Sequence, residues 1–359
     1  MKKNVAILAG DGIGPEVVRE ARKVLDAIGQ RFDHQFAYQE ALIGAAAIDA
    51  TGDPFPTETH QICLEADAIL FGAIGDPKYD NDPSATVRPE QGLLAMRKAL
   101  GLFANIRPVK AYDVLLDASP LKTEIIKGVD FVILRELIGG IYFGKPRGRN
   151  EKGDEAFDSC VYDKAGILRI TEQAFTYAYQ RRKKVTLVDK ANVLATSRLW
   201  REVVTAYAAQ HPEIEFDCMF VDNAAMQLIR NPGYFDVVLT ENMFGDILSD
   251  EASVITGSMG TLPSASVGEK TSLYEPIHGS YPQVAGQNRA NPLATILSAA
   301  MMLEYEFGMT EEGKVIRQAV EQSLEAGFTT EDIRSGIRST SEVGDYIARQ
   351  VLEQRLTVG

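Results

Sequence analysis

The sequence predicts an α/β protein, with an open sheet covered by helices and a chain long enough for two domains. Short apolar runs flanked by glycine or aspartate alternate with longer amphipathic stretches, a pattern typical of that class. The chain has 359 residues, of which 45% are hydrophobic, and this length favours two domains over one. It contains no run of about 20 apolar residues, the length that a membrane-spanning helix requires. We therefore expect a soluble protein that does not act at membranes.

The predicted elements follow in chain order. The first strand, 5–9, runs into the turn GDGIGP, and Pro15 suits the first position of a helix. Further buried strands are predicted at 68–71, 131–134, 185–188 and 235–239, and amphipathic helices at 171–183, 196–210, 292–307 and 311–326. Segment 144–164 is charged and glycine-rich, so it is either a flexible loop or a protruding pair of strands. We favour the pair of strands.

Net charge and cysteine content limit the partners that the protein can bind and the cellular compartment in which it acts. The chain has 37 Lys and Arg against 50 Asp and Glu, a formal charge of −13, which opposes nucleic acid and anionic membranes. Cys63, Cys160 and Cys218 match neither a disulfide framework nor a CxxC metal site. The N-terminal segment lacks the apolar core of a secretory signal. We expect a cytoplasmic protein without a nucleic-acid partner.

The glycine-rich turn has two interpretations. Gly10, Gly12 and Gly14 are spaced by two residues, whereas the Rossmann fingerprint GxGxxG places its third glycine three residues after the second. The glycines then serve a tight strand-to-helix turn, or they belong to a dinucleotide site that is not of the Rossmann type.

Three aspartates have a pattern that suits a metal ion. Asp246 and Asp250 lie four residues apart on one face of a predicted helix, where like charges repel unless a cation lies between them. Asp222 follows a strand and opens a helix. Carboxylate oxygens are ligands for Mg²⁺ or Mn²⁺. The alternatives are a solvated helix face for the pair and an N-cap for Asp222.

Three arginines are candidates for binding an anionic substrate. Arg107 and Arg135 lie in or near apolar strands, where a guanidinium is costly without an anion to meet it, and Arg97 lies in PEQGLLAMRKAL. A guanidinium binds a carboxylate through two parallel hydrogen bonds, so convergent arginines suit a dicarboxylate. Structural ion pairs are the alternative for each arginine.

Lys190, Tyr142 and His278 are candidates for proton transfer or ligand contact. Lys190 directly follows a predicted buried strand, where desolvation and nearby cations would lower its pKa and suit it to act as a base. Tyr142, in GGIYFG, could donate its phenolic proton. The alternatives are a snorkelling lysine, a core tyrosine and, for His278 in EPIHGSYP, a loop histidine without a ligand.

Seven segments, in order along the chain, carry a resemblance to a known family. They are GDGIGPE, GLLAMRK, FANIRPV, RELIGGIYFG, VDKANVL, NMFGDILSDEAS and EPIHGSYPQVAGQNRANP. With them the chain resembles the β-decarboxylating dehydrogenases, the family of isocitrate and isopropylmalate dehydrogenases, over nearly its whole length. The resemblance implies an α/β fold of two domains that share a continuous mixed sheet flanked by helices, distinct from the Rossmann fold. The first, cofactor-binding domain would comprise 1–102 and 257–359; the second, with metal ligands, dimer contacts and a protruding arm, would comprise 103–256.

The resemblance also implies a role for each matching residue, in a homodimer whose active sites are shared between subunits. Tyr142 would donate a proton and Lys190 would act as the base, with Lys190 and Asp222 reaching the neighbouring subunit's site. Mg²⁺ or Mn²⁺ would be bound by Asp222, Asp246 and Asp250. Substrate binding would involve Glu90, Leu93, Leu94, Arg97, Arg107, Arg135, Asn192 and Val193. The NAD cofactor would contact Ile13, Glu275, His278, Gly279, Ser280, Gln283, Ala290 and Asn291.

Within the family, the segment after Glu90 discriminates among substrates, and here it favours 3-isopropylmalate. Glu90, Leu93 and Leu94 would provide an apolar wall that suits an isopropyl group, which gains about 2 kcal/mol by burial. Isocitrate-specific relatives place small polar residues there to meet a third carboxylate. The resemblance therefore implies oxidative decarboxylation to 4-methyl-2-oxopentanoate and CO₂, in leucine biosynthesis. Two alternatives remain. One is a related enzyme that acts on tartrate, malate or homoisocitrate, and the other is a non-catalytic binding or assembly protein.

Gln283 bears on the choice between NAD and NADP. Where NAD-specific members of the family usually carry an aspartate, this chain has Gln283, which does not repel a 2′-phosphate. It also carries no positive charge that would attract one. NAD is the expected cofactor.

Overall fold

The computed structural model describes residues 1–82, 84–333 and 336–353. The chain divides into two compact units, Met1–Gly101 with Gly257–Gly359, and Leu102–Thr256. We call them unit 1 and unit 2. Their limits differ by one residue from the predicted domain boundaries; the functions assigned to the domains remain predictions.

The structure contains twelve strands and thirteen α-helices within the described residues. The strands are β1 Lys2–Gly10, β2 Gln35–Glu40, β3 Ala68–Ala73, β4 Leu102–Lys110, β5 Asp130–Glu136, β6 Arg147–Arg149, β7 Ala156–Asp158, β8 Lys184–Asp189, β9 Glu215–Phe220, β10 Val237–Thr240, β11 Pro263–Gly268 and β12 Leu273–Pro276. The helices are α1 Gly14–Phe32, α2 Ala45–Thr51, α3 Thr57–Glu65, α4 Pro77–Asp80, α5 Pro89–Leu100, α6 Thr123–Ile126, α7 Lys164–Tyr179, α8 Ala195–Ala208, α9 Val221–Arg230, α10 Asn242–Ser253, α11 Leu293–Tyr305, α12 Thr310–Glu325 and α13 Thr340–Glu353.

Unit 1 contains five strands in the order β2-β1-β3-β12-β11. The first four are parallel, and β11 pairs antiparallel with β12. Every residue of β3 is buried, as expected for a central strand covered on both faces. Helix α11 is apolar around its circumference and buried from Leu293 to Leu303, which marks it as a core helix rather than a surface one.

Unit 2 contains five strands in the order β4-β5-β10-β8-β9. Strand β4 runs antiparallel to β5, and the remaining pairs are parallel. A hydrophobic core that includes Phe131, Val188, Phe235 and Leu248 packs β5, β8 and α10 together. The separate pair β6 and β7 forms an exposed antiparallel ribbon, so the predicted pair of strands in segment 144–164 is confirmed.

The predicted α/β class, with mixed strand pairing and flanking helices, is confirmed. The largest departure concerns helix 171–183, which begins earlier as α7 at Lys164 because Asp163 Oδ1 accepts a hydrogen bond from the Gly166 N–H and caps the helix. The strand predicted at 235–239 begins at Val237, as β10. No described helix has the length and apolar character needed to cross a membrane.

Close packing requires glycine in the turn between β1 and α1. Gly10 and Gly12 have φ values of +68° and +57°, a region that favours glycine. A Cβ at Gly10 would lie 1.9 Å from the Ala73 carbonyl oxygen, and one at Gly12 2.0 Å from that of Ser280. The Ile13 N–H donates to the same Ser280 oxygen at 2.8 Å. The turn therefore has a structural role, because it holds the segment around Ser280 against the start of α1.

Asp11, within this turn, ties three chain segments of unit 1 together. It is 6% exposed, and its carboxylate accepts hydrogen bonds from the backbone N–H groups of Ala45 and Ala46 at 3.0 Å and of Gly75 at 2.9 Å. Buried N–H groups are costly when they lose their partners.

We expect Asp11→Ala to lower the free energy of unfolding by about 3 kcal/mol, because it leaves these three backbone donors, two of them buried, without their partner. Urea unfolding followed by circular dichroism measures the change. Asp53→Ala is the control, since the Asp53 side chain is exposed and accepts one backbone hydrogen bond, from Phe55. Equal losses in the two variants would contradict the role of Asp11.

Candidate functional site

A cluster of charged side chains in unit 2 is centred on Asp246. Arg135 Nη1 donates to Asp246 Oδ1, Arg107 Nη2 lies 3.8 Å from the same oxygen, and the Tyr142 phenol donates to Oδ2 at 2.9 Å. The arginines are 7% and 2% exposed, on β4 and β5 respectively. The structure thus brings together four of the residues that the sequence predicts: Arg107, Arg135, Tyr142 and Asp246.

Polar side chains that the sequence analysis missed hold both guanidinium groups in place. Arg107 Nε donates to Asn105 Oδ1 at 2.6 Å, and its Nη1 donates to Ser249. Arg135 donates to Asn242 Oδ1 from Nε at 3.1 Å and from Nη2 at 2.8 Å. Asn105 could have been found, because side chains two residues apart on a strand share a face. Asn242 and Ser249 lie in NMFGDILSDEAS, one of the segments that carry the resemblance, but nothing in that segment alone indicates their contacts with the arginines.

Asp250 extends the cluster by one helical turn along α10. Its carboxylate lies 3.6 Å from Arg107 Nη1. Burial raises the pKa of Asp250 and the neighbouring Asp246 raises it further, while Arg107 opposes both effects. Two carboxylates whose charges disfavour each other, with hard oxygen donors on one helix face, fit a divalent cation such as Mg²⁺ or Mn²⁺. The donor set of Asp246 and Asp250 therefore suits the Mg²⁺ or Mn²⁺ that the resemblance implies.

Lys190 and Asp222 form a separate pair in unit 2. Lys190 Nζ lies 2.8 Å from Asp222 Oδ1, and the hydrogen bond from Lys190 lowers the pKa of Asp222. Among the described residues, no three His, Cys, Asp or Glu side chains are grouped so that they could hold a metal ion. One chain thus does not assemble Asp222 with Asp246 and Asp250. Beside Lys190, Asn192 is exposed and Val193 is 62% exposed.

Helix α5 of unit 1 carries the predicted substrate wall. Glu90 is exposed, Leu93 and Leu94 are half-buried, and Arg97 is buried. The spacing 90, 93, 94 and 97 places these side chains on one helix face. Arg97 Nη2 pairs with Glu275 Oε1 at 3.2 Å, whereas Arg97 Nε is buried and has no hydrogen-bond partner within the described part of the chain. An unsatisfied guanidinium donor fits an incoming carboxylate.

Five of the eight residues predicted to bind the cofactor line a cavity of about 680 Å³ in unit 1. These are Ile13, His278, Gly279, Ala290 and Asn291. Glu275, Ser280 and Gln283 do not line it. Residues that the sequence analysis missed complete the wall: Gly257, Ser258, Met259, Gly260, Tyr281, Arg289, Glu331 and Asp332. Tyr281 and Arg289 lie within the segment that carried the resemblance, whereas nothing local to the sequence indicates residues 257–260 or 331–332.

His278 supplies a test of whether this cavity fits a nucleotide. Its Nδ1 lies 3.0 Å from the Gly279 carbonyl oxygen, which can only accept, so Nδ1 carries the proton and Nε2 is an acceptor. Burial lowers the pKa of His278, which favours the neutral ring. Nε2 is buried and has no partner among the described residues. A buried acceptor without a partner fits a hydrogen-bond donor of a bound nucleotide.

Known proteins of similar sequence belong to a single family. A family model described as isocitrate/isopropylmalate dehydrogenase matches residues 4–347. The chain is 59% identical over 339 residues to 3-isopropylmalate dehydrogenase of Priestia megaterium, covering 94% of this chain and 92% of that protein. It is 55% identical over 350 residues to 3-isopropylmalate dehydrogenase of Bacteroides fragilis, covering 97% and 98%.

Solved structures with a similar fold are also dehydrogenases. Isocitrate dehydrogenase from Methylococcus capsulatus matches with a TM-score of 0.88 and 33% identity, covering 98% of this chain and 100% of that one. A β-decarboxylating dehydrogenase from Thermococcus kodakarensis matches with a TM-score of 0.79 and 35% identity, covering 97% and 96%. These relatives are dehydrogenases, so the chain is an oxidoreductase. The chain belongs to the isocitrate/isopropylmalate dehydrogenase family, which confirms the resemblance.

Glu241, directly before α10, is a buried acid next to the Asp246 cluster. It is 5% exposed, and Ser197 Oγ donates to it at 3.3 Å. Burial, with smaller contributions from Asp189 and Glu136, raises the pKa of Glu241 to about 7, although the Ser197 hydrogen bond opposes the shift. The folded protein therefore binds this proton more tightly than the unfolded chain does.

We expect this proton to make stability depend on pH. A pKa raised on folding stabilises the native state below the unfolded value, near 4.5, and the stabilisation is lost as pH rises through about 7. Urea unfolding measures the free energy of unfolding at pH 5 and at pH 8. From pH 5 to pH 8 this free energy should fall by about 2–3 kcal/mol more in the wild-type protein than in Glu241→Gln, whose side chain stays neutral. A constant difference between the two proteins across this range would contradict the assignment.

Proposed function

We propose that this chain catalyses the NAD-dependent oxidative decarboxylation of (2R,3S)-3-isopropylmalate to 4-methyl-2-oxopentanoate and CO₂, a reaction of leucine biosynthesis, in the cytoplasm. The observation that carries the proposal is the cluster in which buried Arg107 and Arg135 and the Tyr142 phenol converge on Asp246. Relatives at 53–59% identity named 3-isopropylmalate dehydrogenase support the choice of substrate.

The three arginines would bind the two carboxylates of the substrate. Arg107 and Arg135 are held by neutral side chains, Asn105, Ser249 and Asn242, so their orientation does not depend on Asp246 alone. Substrate carboxylates can therefore be received by guanidinium groups that are already positioned, which reduces the entropy lost on binding. The unpartnered Nε of Arg97 supplies a further donor.

Leu93 and Leu94 support isopropylmalate over isocitrate. Both side chains are half-buried on the face of α5 that also carries Arg97. An isopropyl group that covers them removes apolar surface from water and gains about 2 kcal/mol. A third carboxylate packed against these two leucines would lose part of its hydration without gaining a hydrogen bond from them.

Lys190 and Tyr142 would transfer the two protons of the reaction. Lys190 would remove the hydroxyl proton at C2; to do so it must give up its ion pair with Asp222 and its own proton. A bound nicotinamide cofactor would supply the hydride acceptor. Burial and the adjacent Asp246 raise the pKa of Tyr142, so the phenol keeps its proton and can donate it to carbon after CO₂ has left. Proton transfer by a positioned group contributes about 10²–10⁴-fold to the rate.

Asp246 and Asp250, with Asp222, would hold Mg²⁺ or Mn²⁺. A divalent cation bound there would act as a Lewis acid that polarises the C2 oxygen and favours loss of the β-carboxylate. The phenol of Tyr142 hydrogen-bonds to one of these same carboxylates, so metal binding and protonation are tied to one side chain of α10.

We infer that the active enzyme is a homodimer, because one chain does not bring Lys190 and Asp222 to the Asp246 cluster. Unit 2 also exposes large apolar side chains: Met226 on α9 at 53%, Ile247 on α10 at 59%, and Val254 at 41%. A two-fold interface that covers this surface would bury apolar area and complete each site with a Lys190–Asp222 pair from the partner. The ribbon β6–β7, which exposes Phe157 at 43%, is the proposed arm.

An activity assay tests the proposed reaction. We expect NADH formation from 3-isopropylmalate that exceeds that from D-malate in kcat/KM and is lost when a chelator removes the metal. Lys190→Met should lower kcat by at least about 10²-fold, because it removes the base. Lys164→Met is the control, since Lys164 is an exposed lysine of unit 2 that pairs with Glu202. Normal turnover by Lys190→Met would refute the mechanism.

Mixing two inactive variants tests the shared site. Lys190→Met and Asp246→Asn homodimers should each be inactive. After subunit exchange, a mixed dimer has one site with an intact Asp246 and the partner's intact Lys190, so activity should return to about a quarter of the wild-type value. Size-exclusion chromatography confirms that the variants remain dimers. If the mixture stays inactive while mixed dimers form, each site belongs to one subunit.

A further inference from the structure

Tyr162, which lies between the ribbon β6–β7 and α7, holds the start of α10. The first residue of α10, Asn242, is fully buried, so its backbone N–H needs a partner within the protein. Glu241, at the N-cap position, makes no capping hydrogen bond through its side chain within the described part of the chain. The Tyr162 hydroxyl accepts from the Asn242 N–H at 2.9 Å. A side chain from another segment therefore caps this helix.

Packing fixes the ring of Tyr162. The ring meets Trp200, which is 1% exposed, edge to face with 5.4 Å between the ring centroids. It also covers a pair of glycines: a Cβ at Gly139 would lie 2.8 Å from Tyr162 Cε1, and one at Gly140 2.1 Å from the hydroxyl oxygen. The Gly140 N–H donates to the Val161 carbonyl oxygen at 3.0 Å. The hydroxyl thus has little freedom to leave its partner.

Asn242 links Tyr162 to the buried guanidinium of Arg135. Its Nδ2 donates to the Gly139 carbonyl oxygen at 3.1 Å, which directs Oδ1 toward Arg135, and Oδ1 accepts from Arg135 Nε and Nη2. Because one residue makes all these bonds, a shift at the start of α10 moves the acceptor that orients the guanidinium. A guanidinium binds a carboxylate in a fixed plane, so a tilt weakens both of its bonds to that carboxylate.

We propose that Tyr162 is a positioning residue, which aligns the Arg135 guanidinium for a substrate carboxylate by holding the Asn242 N–H. The inference rests on the proposed function, in which Arg135 binds such a carboxylate. Burial raises the pKa of Tyr162, and Glu136 and Glu241 raise it further. The hydroxyl therefore stays neutral near pH 7, and Asn242 meets the same acceptor throughout that pH range.

Kinetics of Tyr162→Phe test this role, because the variant keeps the ring and loses only the acceptor. KM for 3-isopropylmalate should rise about tenfold while kcat falls less than about threefold, since one buried N–H loses its partner and Arg135 tilts. KM for NAD should not change. Isothermal titration calorimetry of 3-isopropylmalate with the full chain and Mn²⁺ should show the same weakening in Kd without turnover.

A double variant shows whether Tyr162 acts through Arg135. Arg135→Lys removes the planar group that Tyr162 would align. In that background, Tyr162→Phe should change KM for 3-isopropylmalate less than about twofold, because effects that pass through one residue are not additive. An effect of Tyr162→Phe that is equally large in both backgrounds overturns the proposal.

Tyr234→Phe is the matched control. Tyr234 is a half-buried tyrosine of unit 2 whose hydroxyl donates to Asp217, so its variant should leave both KM values unchanged. If Tyr162→Phe lowers the melting temperature but leaves KM and Kd for 3-isopropylmalate unchanged, its role is structural and the proposal is overturned. If the wild-type protein neither binds nor oxidises 3-isopropylmalate, the proposed function fails and the inference with it, which is a distinct result.

Discussion

The burial of two guanidinium groups is the constraint on which the candidate active site depends. Arg107 and Arg135 are almost fully removed from water, and a buried charge is costly unless it is paired and hydrogen-bonded. Helix α10 meets this cost with Asp246 and Asn242. Gly245 lets the helix approach, because a Cβ there would lie 2.6 Å from Arg135 Cγ. The position of α10 against β5 is therefore dictated by electrostatics as much as by its apolar face.

That position has chemical consequences. The same helix that neutralises the arginines carries both carboxylates suited to a metal ion, and one of them also orients the Tyr142 phenol. The proposed cation binding, anion binding and proton donation would thus all involve one helix. Groups that are fixed before the substrate arrives need little rearrangement during the reaction, which is the physical basis of electrostatic preorganisation. Buried Glu241, at the start of α10, places a further acid beside this arrangement.

Much of this arrangement was accessible from the sequence, for identifiable reasons. Strand β3 could be predicted because a short apolar run between polar flanks is typical of a central parallel strand, and the Asp246 and Asp250 spacing gave one helix face directly. The start of α7 was missed because a single capping residue, Asp163, decides it. Asn242 and Ser249 were missed because their contacts with Arg135 and Arg107 join segments over a hundred residues apart. The spacing of Gly10, Gly12 and Gly14 is compatible with a tight turn or with a nucleotide site, and the structure shows a packing reason for these glycines.

The cavity wall and the charged cluster belong to different units of the chain. Every residue that lines the cavity lies within Met1–Gly101 or Gly257–Gly359, while Arg107, Arg135, Tyr142 and Asp246 all lie within Leu102–Thr256. Substitutions that alter nucleotide preference therefore need not disturb the side chains proposed to perform the chemistry. Selection can therefore act on the proposed nucleotide cavity of unit 1 and on the proposed reaction site of unit 2 almost independently.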